Sequence, residues 1–351
     1  MKKYFIIICS LIFCTVTSQV IINSGTKQAI SNVTIISKTG QILLVSDKEG
    51  KVSNPLVENE FKISDSDSIE FIHPNFEIKK ITWKNFKNES ILLLDPIQDI
   101  EEVILTAKNA DYLVLRSYFT SYQIIDNEPQ SFSDGIIEYY ISLSKNKLID
   151  FNIIETRVFK NIPFINEFYK KLGNTTLSVG SQIQPFNFYE EILLNRWNDF
   201  TFTQTDEIKL KNNIIGNIEE TDENSNVFVE YYTPSRFKEQ SLLGMSSKIE
   251  NYNISERFAS KTPSIKYLKN ISKYYKSLIT QKKVNFKYEL IQNVQVLERE
   301  FLTKDDLGKL KNSFNHSEKT NYINNYWEQN GLIEIPFSVK NLLIDKFSLI
   351  K

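Results

Sequence analysis

The chain has 351 residues, with 42 Lys and Arg against 43 Asp and Glu and a formal charge of −1. A balance this close to neutral excludes the basic excess of a nucleic-acid binder, and the length supports hydrophobic cores, most naturally in two domains. Both cysteines, Cys9 and Cys14, lie before residue 19, which excludes disulfides and thiol catalysis from everything after it.

The first segment reads as a leader. Lys2 and Lys3 precede an apolar run from Tyr4 to Val16, and Val16-Thr17-Ser18 offers tolerated residues at a cleavage site before Gln19. That is the layout of a secretory signal over residues 1–18. The run falls short of the ~20 residues of a spanning helix. Ile8 and Phe13, not small residues, precede the two cysteines, which argues against lipidation. The expectation is export, into a compartment without ATP or reduced nucleotides, and no spanning helix once the leader is removed.

Residues 19–95 read as short strands between turn signals. Val20–Ile22, Asn32–Ser37, Ile42–Ser46, Ser68–Ile72, Ile78–Trp83 and Ser90–Asp95 are the predicted strands, with turns at Thr39-Gly40 and at Asp47-Lys48-Glu49-Gly50. No helical periodicity is visible, and the pattern fits a β-sandwich. Asp47 and Glu49 are too few oxygens for calcium and read as turn residues. His73, isolated beside Pro74, reads as a structural strand-end residue.

Four stretches carry a resemblance: Val20-Ile21-Ile22, Ala29 to Ile35, Ser46 to Val52, and Ile69 to Phe76. At their distances they resemble the carboxypeptidase regulatory-like domain, a transthyretin-like sandwich of gram-negative envelope proteins. The resemblance implies a structural or accessory role and transfers no catalytic residue. Asn75 departs from the family's usual glycine, and Lys51-Val52 from its Gly-aromatic pair.

Residues 96–110 form a linker with an acidic start to an apolar strand, Asp99 to Ala107. It resembles the segment that joins this sandwich to the plug of TonB-dependent outer-membrane receptors. Too few residues follow for a plug and a large barrel, and the repeated dyads and aromatic girdles of a smaller one are missing. A small outer-membrane component stays as an alternative.

Residues 111–351 read as a larger α+β domain, with long antiparallel strands and a helical C-terminal end. Tyr112, Val114, Arg116, Tyr118, Thr120 and Tyr122 share one face of a strand; Asp126 to Pro129 turn the chain, and Ile136–Ser142 returns. Further strands are expected at Thr156–Lys160, Thr175–Val179, Glu207–Leu210 and Val227–Tyr232, with a helix from Asn187 to Trp197. After Thr262-Pro263 the spacing of Ile265, Leu268, Ile271, Tyr275 and Leu278 predicts a helix. Val284–Phe301 reads as a pair of strands, and Thr303 caps a helix with Asp305 and Asp306 in its first turn. Tyr322–Gln329 and Val339–Phe347 are predicted helices. Such strands closing over helices would form a half-barrel similar in outline to envelope lipoprotein carriers, though no motif carries that comparison. A sheet bearing Tyr112, Tyr118, Tyr122 and Tyr139 would line a groove for a lipid, peptide or glycan; ordinary strand-face packing is the competing account.

No catalytic apparatus is expected. The two histidines, His73 and His316, lack a His-x-x-Glu arrangement for zinc. No Gly-x-Ser-x-Gly elbow or phosphate-binding glycine loop occurs. Carboxylate pairs remain: Glu298 and Glu300 on one strand face, Glu190-Glu191 near Trp197, and Trp327-Glu328. They support an alternative reading as a glycan hydrolase. The leading expectation is an exported, non-catalytic envelope protein that binds or scaffolds an unknown ligand or protein partner, without metal or cofactor, in the periplasm or at the outer membrane.

Overall fold

The computed structural model describes residues 19–52, 60–95, 103–105, 110–145, 147–172, 201–202, 207–210, 213–221, 223–230, 239–242, 244–281, 283–310, 313–317, 319–324 and 332–351. The leader, the strand Thr175–Val179, the helix Asn187–Trp197 and the pairs Glu190-Glu191 and Trp327-Glu328 lie outside them. The fold is mostly β, in several sheets.

The N-terminal module contains β1 (Gln19–Asn23), β2 (Thr34–Ser37), β3 (Ile42–Val45), β4 (Lys51–Val52), β5 (Ser68–His73), β6 (Phe76–Thr82), α1 (Trp83–Asn88) and β7 (Ile91–Leu93). Two sheets form, β4-β1-β7 and β3-β2-β5-β6. Alternation places Ile21, Ile35, Ile69 and Phe71 in one core with Val33, Val52, Trp83 and Leu93. Ser46 is buried but fully used: its Oγ donates to the Ile30 carbonyl (2.9 Å) and accepts from the Val33 amide (2.8 Å). Asp47 Oδ1 accepts from the amides of Glu49 (2.9 Å) and Lys51 (2.8 Å), an Asx turn. The sequence showed no helix here. α1 is a short helix capped by Thr82, with Trp83 and Phe86 facing inward, too short to register a period.

The second module is built on a 13-stranded sheet. Its strands are β8 (Val103–Leu105), β9 (Tyr112–Ile125), β10 (Glu128–Ser142), β11 (Lys147–Lys160), β12 (Thr201–Phe202), β13 (Glu207–Leu210), β14 (Asn213–Glu220), β15 (Ser225–Glu230), β16 (Gln240–Leu242), β17 (Met245–Phe258), β18 (Leu268–Gln281), β19 (Val284–Leu302) and β20 (Ser348–Ile350). The main path runs β12-β13-β14-β15-β17-β18-β19-β9-β10-β11-β20, so the described sheet is open. Around it lie α2 (Ile162–Leu172), α3 (Lys304–Leu310) and α4 (Phe337–Asp345). The β9–β10 hairpin turns on Asp126 and Asn127, both at positive φ (48° and 65°), the two-residue turn whose twist matches antiparallel strands.

Three expectations need correction. Residues 268–281 are strand β18, preceded only by a 3-10 turn at Ile265–Tyr267. Both faces of this strand are covered: Ile271 and Tyr275 pair with the inner-face residues Glu256 and Tyr252, and Tyr274 points the other way. Apolar residues on both faces break strict alternation and imitate a helical spacing. Val284–Leu302 is one 19-residue strand, not two. Tyr322, Ile323 and Asn324 are not helical, and the rest of the helix expected at Tyr322–Gln329 lies outside the described residues. The C-terminal part is therefore less helical than expected. The Thr303 cap holds: its Oγ1 accepts from the Asp306 amide (3.3 Å) and donates to Asp306 Oδ2 (2.6 Å).

The inner sheet face carries one apolar core reaching from Ile153 on β11 through Leu115, Tyr139, Val294, Ile271 and Ile254 to Val227 and Ile215. The outer face is covered by the N-terminal module. Ile36 and Ile42 pack with Tyr122, Ile124, Phe132 and Tyr274, and α4 is wedged beside them through Val339 and Leu343. Tyr122 Oη donates to the Gly40 carbonyl (2.7 Å). Buried Glu70 accepts from the Ser338 amide (3.0 Å) and hydroxyl (2.6 Å) in the first turn of α4, where a carboxylate suits the helix dipole.

Gly40 cannot be replaced cheaply. Its φ is +81°, and a Cβ would meet Leu342 Cδ1 at 2.4 Å and Tyr122 Oη at 2.6 Å. Gly40→Ala is expected to lower unfolding free energy by roughly 2 kcal/mol or more, and Tyr122→Phe by about 1 kcal/mol, from the stranded Gly40 carbonyl. Urea unfolding of the two variants checks both; values within error of the parent would refute the described seam.

Candidate functional site

The four tyrosines do not line one groove. Tyr112 packs with Val114, Tyr140 and Leu307 near α3; Tyr118 with Ile136 and Ile333; Tyr122 in the seam. Tyr139 is on the inner face, because the β9–β10 register sets it opposite Leu115 while Tyr118 faces Ile136. Burial pushes the phenols of Tyr118 and Tyr122 far above their ordinary value. The strand-face packing account describes them.

Glu298 and Glu300 are exposed on β19, on either side of buried Arg299. Glu298 lies 4.0 Å from Arg116, which is itself 3.8 Å from Glu138. Arg299 Nε donates to the Lys266 carbonyl (2.8 Å) and Nη2 to the Leu268 carbonyl. This is a solvated strand face over an internal tie, not a recess that could exclude water around a substrate.

A second charged group is buried. Arg157 donates to Asp134 in bidentate fashion, Nε to Oδ1 at 3.0 Å and Nη2 to Oδ2 at 2.7 Å. Tyr322 donates to Asp134 Oδ1 at 2.7 Å, and the guanidinium lies 4.8 Å from the Tyr322 ring. Every Asp134 oxygen is occupied, so the group acts as an internal fastener.

Among the described residues, two polar clefts lie between the modules; one, of about 370 Å³, is lined by Lys38, Thr39, Asp67, Glu128 and Lys346, whose charges are spent on surface ion pairs, Lys38 with Asp67 and Lys346 with Glu128. The other, of about 230 Å³ and the cleft discussed from here on, has Asn23, Gln28, His73, Asn75, Phe76 and Asp95 on the N-terminal wall. Asn217, Glu219, Asn226, Phe228, Ser255 and Arg257 form the sheet wall. Antiparallel register explains the second set. Asn217, Phe228 and Ser255 are cross-strand neighbours on β14, β15 and β17, and Glu219, Asn226 and Arg257 form the next row on the same face. The alternate positions Val227, Val229 and Ile254 point into the inner core.

The cleft is tied at its edges. Asn270 Nδ2 donates to Asn75 Oδ1 (2.5 Å), so Asn75 bridges the modules. His73 Nδ1 accepts from the Asn75 amide (3.2 Å), which places the proton of the neutral ring on Nε2. Its ring packs on Phe76 at 5.1 Å. Asn23 donates to Asp95 (3.1 Å), and Asn217 to Glu219 (3.2 Å). Asn217 Oδ1, Asn226 Oδ1 and Arg257 Nε have no hydrogen-bond partner among the described residues. Burial raises the Glu219 carboxyl above its ordinary value, opposed by the Asn217 hydrogen bond. Such a site can hold a small polar molecule.

Of the cleft residues, the sequence drew attention only to His73 and Asn75. Glu219, Asn226 and Arg257 are remote in sequence and meet only through strand register. Their one sequence signal is polar residues at alternate positions opposite buried valines.

No family model matches the chain, and no curated protein matches it. Among solved structures, one on lipid–protein interactions in lipovitellin is similar over 65% of this chain, at 11% identity and a TM-score of 0.21. The match spans 28% of that chain, and a likeness this slight carries no argument about fold or function. Among the described residues no helix is long and apolar enough to cross a membrane.

His73 gives a pH test of the cleft. Burial, and secondarily the Arg257 charge, lower its pKa from 6.5 to about 3. The unfolded chain therefore binds a proton that the folded chain refuses between these values. Stability falls as pH drops through that window, by at most about 1.4 kcal/mol per pH unit from this residue. Urea unfolding between pH 4 and pH 7 should give a shallower slope for His73→Gln than for the parent; equal slopes would place His73 in water.

Proposed function

We propose that this chain is an exported, non-catalytic envelope protein of a gram-negative bacterium, acting as a binding module in the periplasm or at the outer membrane. In this reading a carboxypeptidase regulatory-like, transthyretin-like sandwich is fixed on a large antiparallel sheet. A small polar ligand sits in the cleft between them. The leader pattern of residues 1–18 supports export, and the motifs between Val20 and Phe76, with the two packed sheets of that region, support the sandwich family.

The observation that carries the binding reading is the row Glu219, Asn226, Arg257 facing Asn75 and Asp95 across a 230 Å³ space. Seams between modules are ordinarily closed by apolar packing, as around Tyr122. Here polar groups are held apart with part of their hydrogen-bonding capacity unused. The exposed Glu298 and Glu300 give the hydrolase alternative no comparable enclosure.

Protein recovered from its source should begin at Gln19 and fractionate outside the cytoplasm. Native mass spectrometry of that protein should show one small-molecule adduct that Asn226→Leu removes while cooperative unfolding is retained. Intact chain with Met1 in the cytosol would contradict export, and identical spectra for parent and variant would contradict the cleft.

A further inference from the structure

The charges of the cleft specify more than polarity. Glu219 and Arg257 flank Asn226 in a single cross-strand row, two strand spacings or roughly 10 Å apart at the backbone. They have opposite charge and line the same space, yet they make no ion pair with each other. Among the described residues the Glu219 carboxylate is hydrogen-bonded by the Asn217 amide alone, and Arg257 Nε is unpartnered. Holding two opposite charges half-buried and apart is costly unless something between them answers both.

We infer that the cleft takes a small zwitterion, a free amino acid or a dipeptide, with its ammonium toward Glu219 and its carboxylate toward Arg257. This rests on the cleft being the binding site. Asn226, between the two, offers an amide able to donate and accept at the middle of the ligand. The His73 ring, neutral with its proton on Nε2, adds a donor near Arg257 and no second charge.

Other ligand classes fit less well. One cation and the two carboxylates Glu219 and Asp95 make a poor site for phosphate or another multiply charged anion. A sugar ring would want an open aromatic face. Phe76 is packed on His73 and Phe228 is buried, so neither supplies one. The volume of about 230 Å³ lies below the ~300–1,000 Å³ of pockets for larger ligands.

The test is isothermal titration of the whole mature protein with L-alanine and L-alanyl-L-alanine, beside N-acetyl-L-alanine, L-alaninamide, glucose and inorganic phosphate. At least one zwitterion should bind, and blocking either its amine or its carboxylate should weaken binding about tenfold or more. Arg257→Gln should erase the penalty for the amide, and Glu219→Gln the penalty for the acetylated amine, each variant still unfolding cooperatively. Blocked compounds binding as tightly as their parents would overturn the inference. Binding of glucose or phosphate alone, lost in Asn226→Leu, would overturn the ligand class and leave the cleft as the site. Binding of no probe, with no adduct on native protein, would overturn both.

Discussion

The structure depends on one contact, the seam in which Ile36 and Ile42 of the N-terminal module and Val339 and Leu343 of α4 cover the sheet around Tyr122, Ile124 and Tyr274. A wide antiparallel sheet has two faces, and this one is apolar on both over its central strands. The inner face forms its own core, but the outer face needs a cover, and the N-terminal module with α4 provides it. Large side chains buried there contribute about 1.5–3 kcal/mol each. The polar groups that enter with them are matched, Tyr122 to the Gly40 carbonyl and Glu70 to Ser338. The modules are distinct in sequence but share this core.

The same demand, that what is buried be satisfied, explains the far end of the sheet. β11 pairs with β20 only over Val158–Lys160. Further along the same edge, Asn315 exchanges hydrogen bonds with Ile153, and Asn321 and Thr320 accept from the amides of Thr156 and Val158. Tyr322 then reaches Asp134 beside Arg157. A strand edge that could recruit another chain is closed by side chains mimicking a strand. In the inter-module cleft Asn217 Oδ1, Asn226 Oδ1 and Arg257 Nε are left without a partner among the described residues, as are some buried groups of the central strands such as Gln123 Oε1 and Ser277 Oγ.

Local chemistry was legible in the sequence wherever it acts locally. The short strands of residues 19–95, the Asp47 turn, the Thr303 cap and the hairpin near Asp126 all follow from neighbouring residues. Two-sided burial was not legible. It erased alternation in β18, made a strand look helical, and led to tyrosines of opposite faces being grouped as one groove. The site was least legible of all. Arg257 and Glu219 belong together only after β14, β15 and β17 take their register, and nothing near either residue announces that pairing. Asn75 has its partner, Asn270, 195 residues away, and no local pattern points to that hydrogen bond.

The central claim is that the seam makes the two modules one cooperative body and so holds the cleft at fixed width. Native-state hydrogen exchange under increasing urea reads this directly. Amides of β2 and β5 and those of β9 and β18 should converge on one opening free energy and one urea dependence. If β2 and β5 opened at lower urea while β9 and β18 stayed protected, the modules would be separable, and a binding cleft built between them would have no basis.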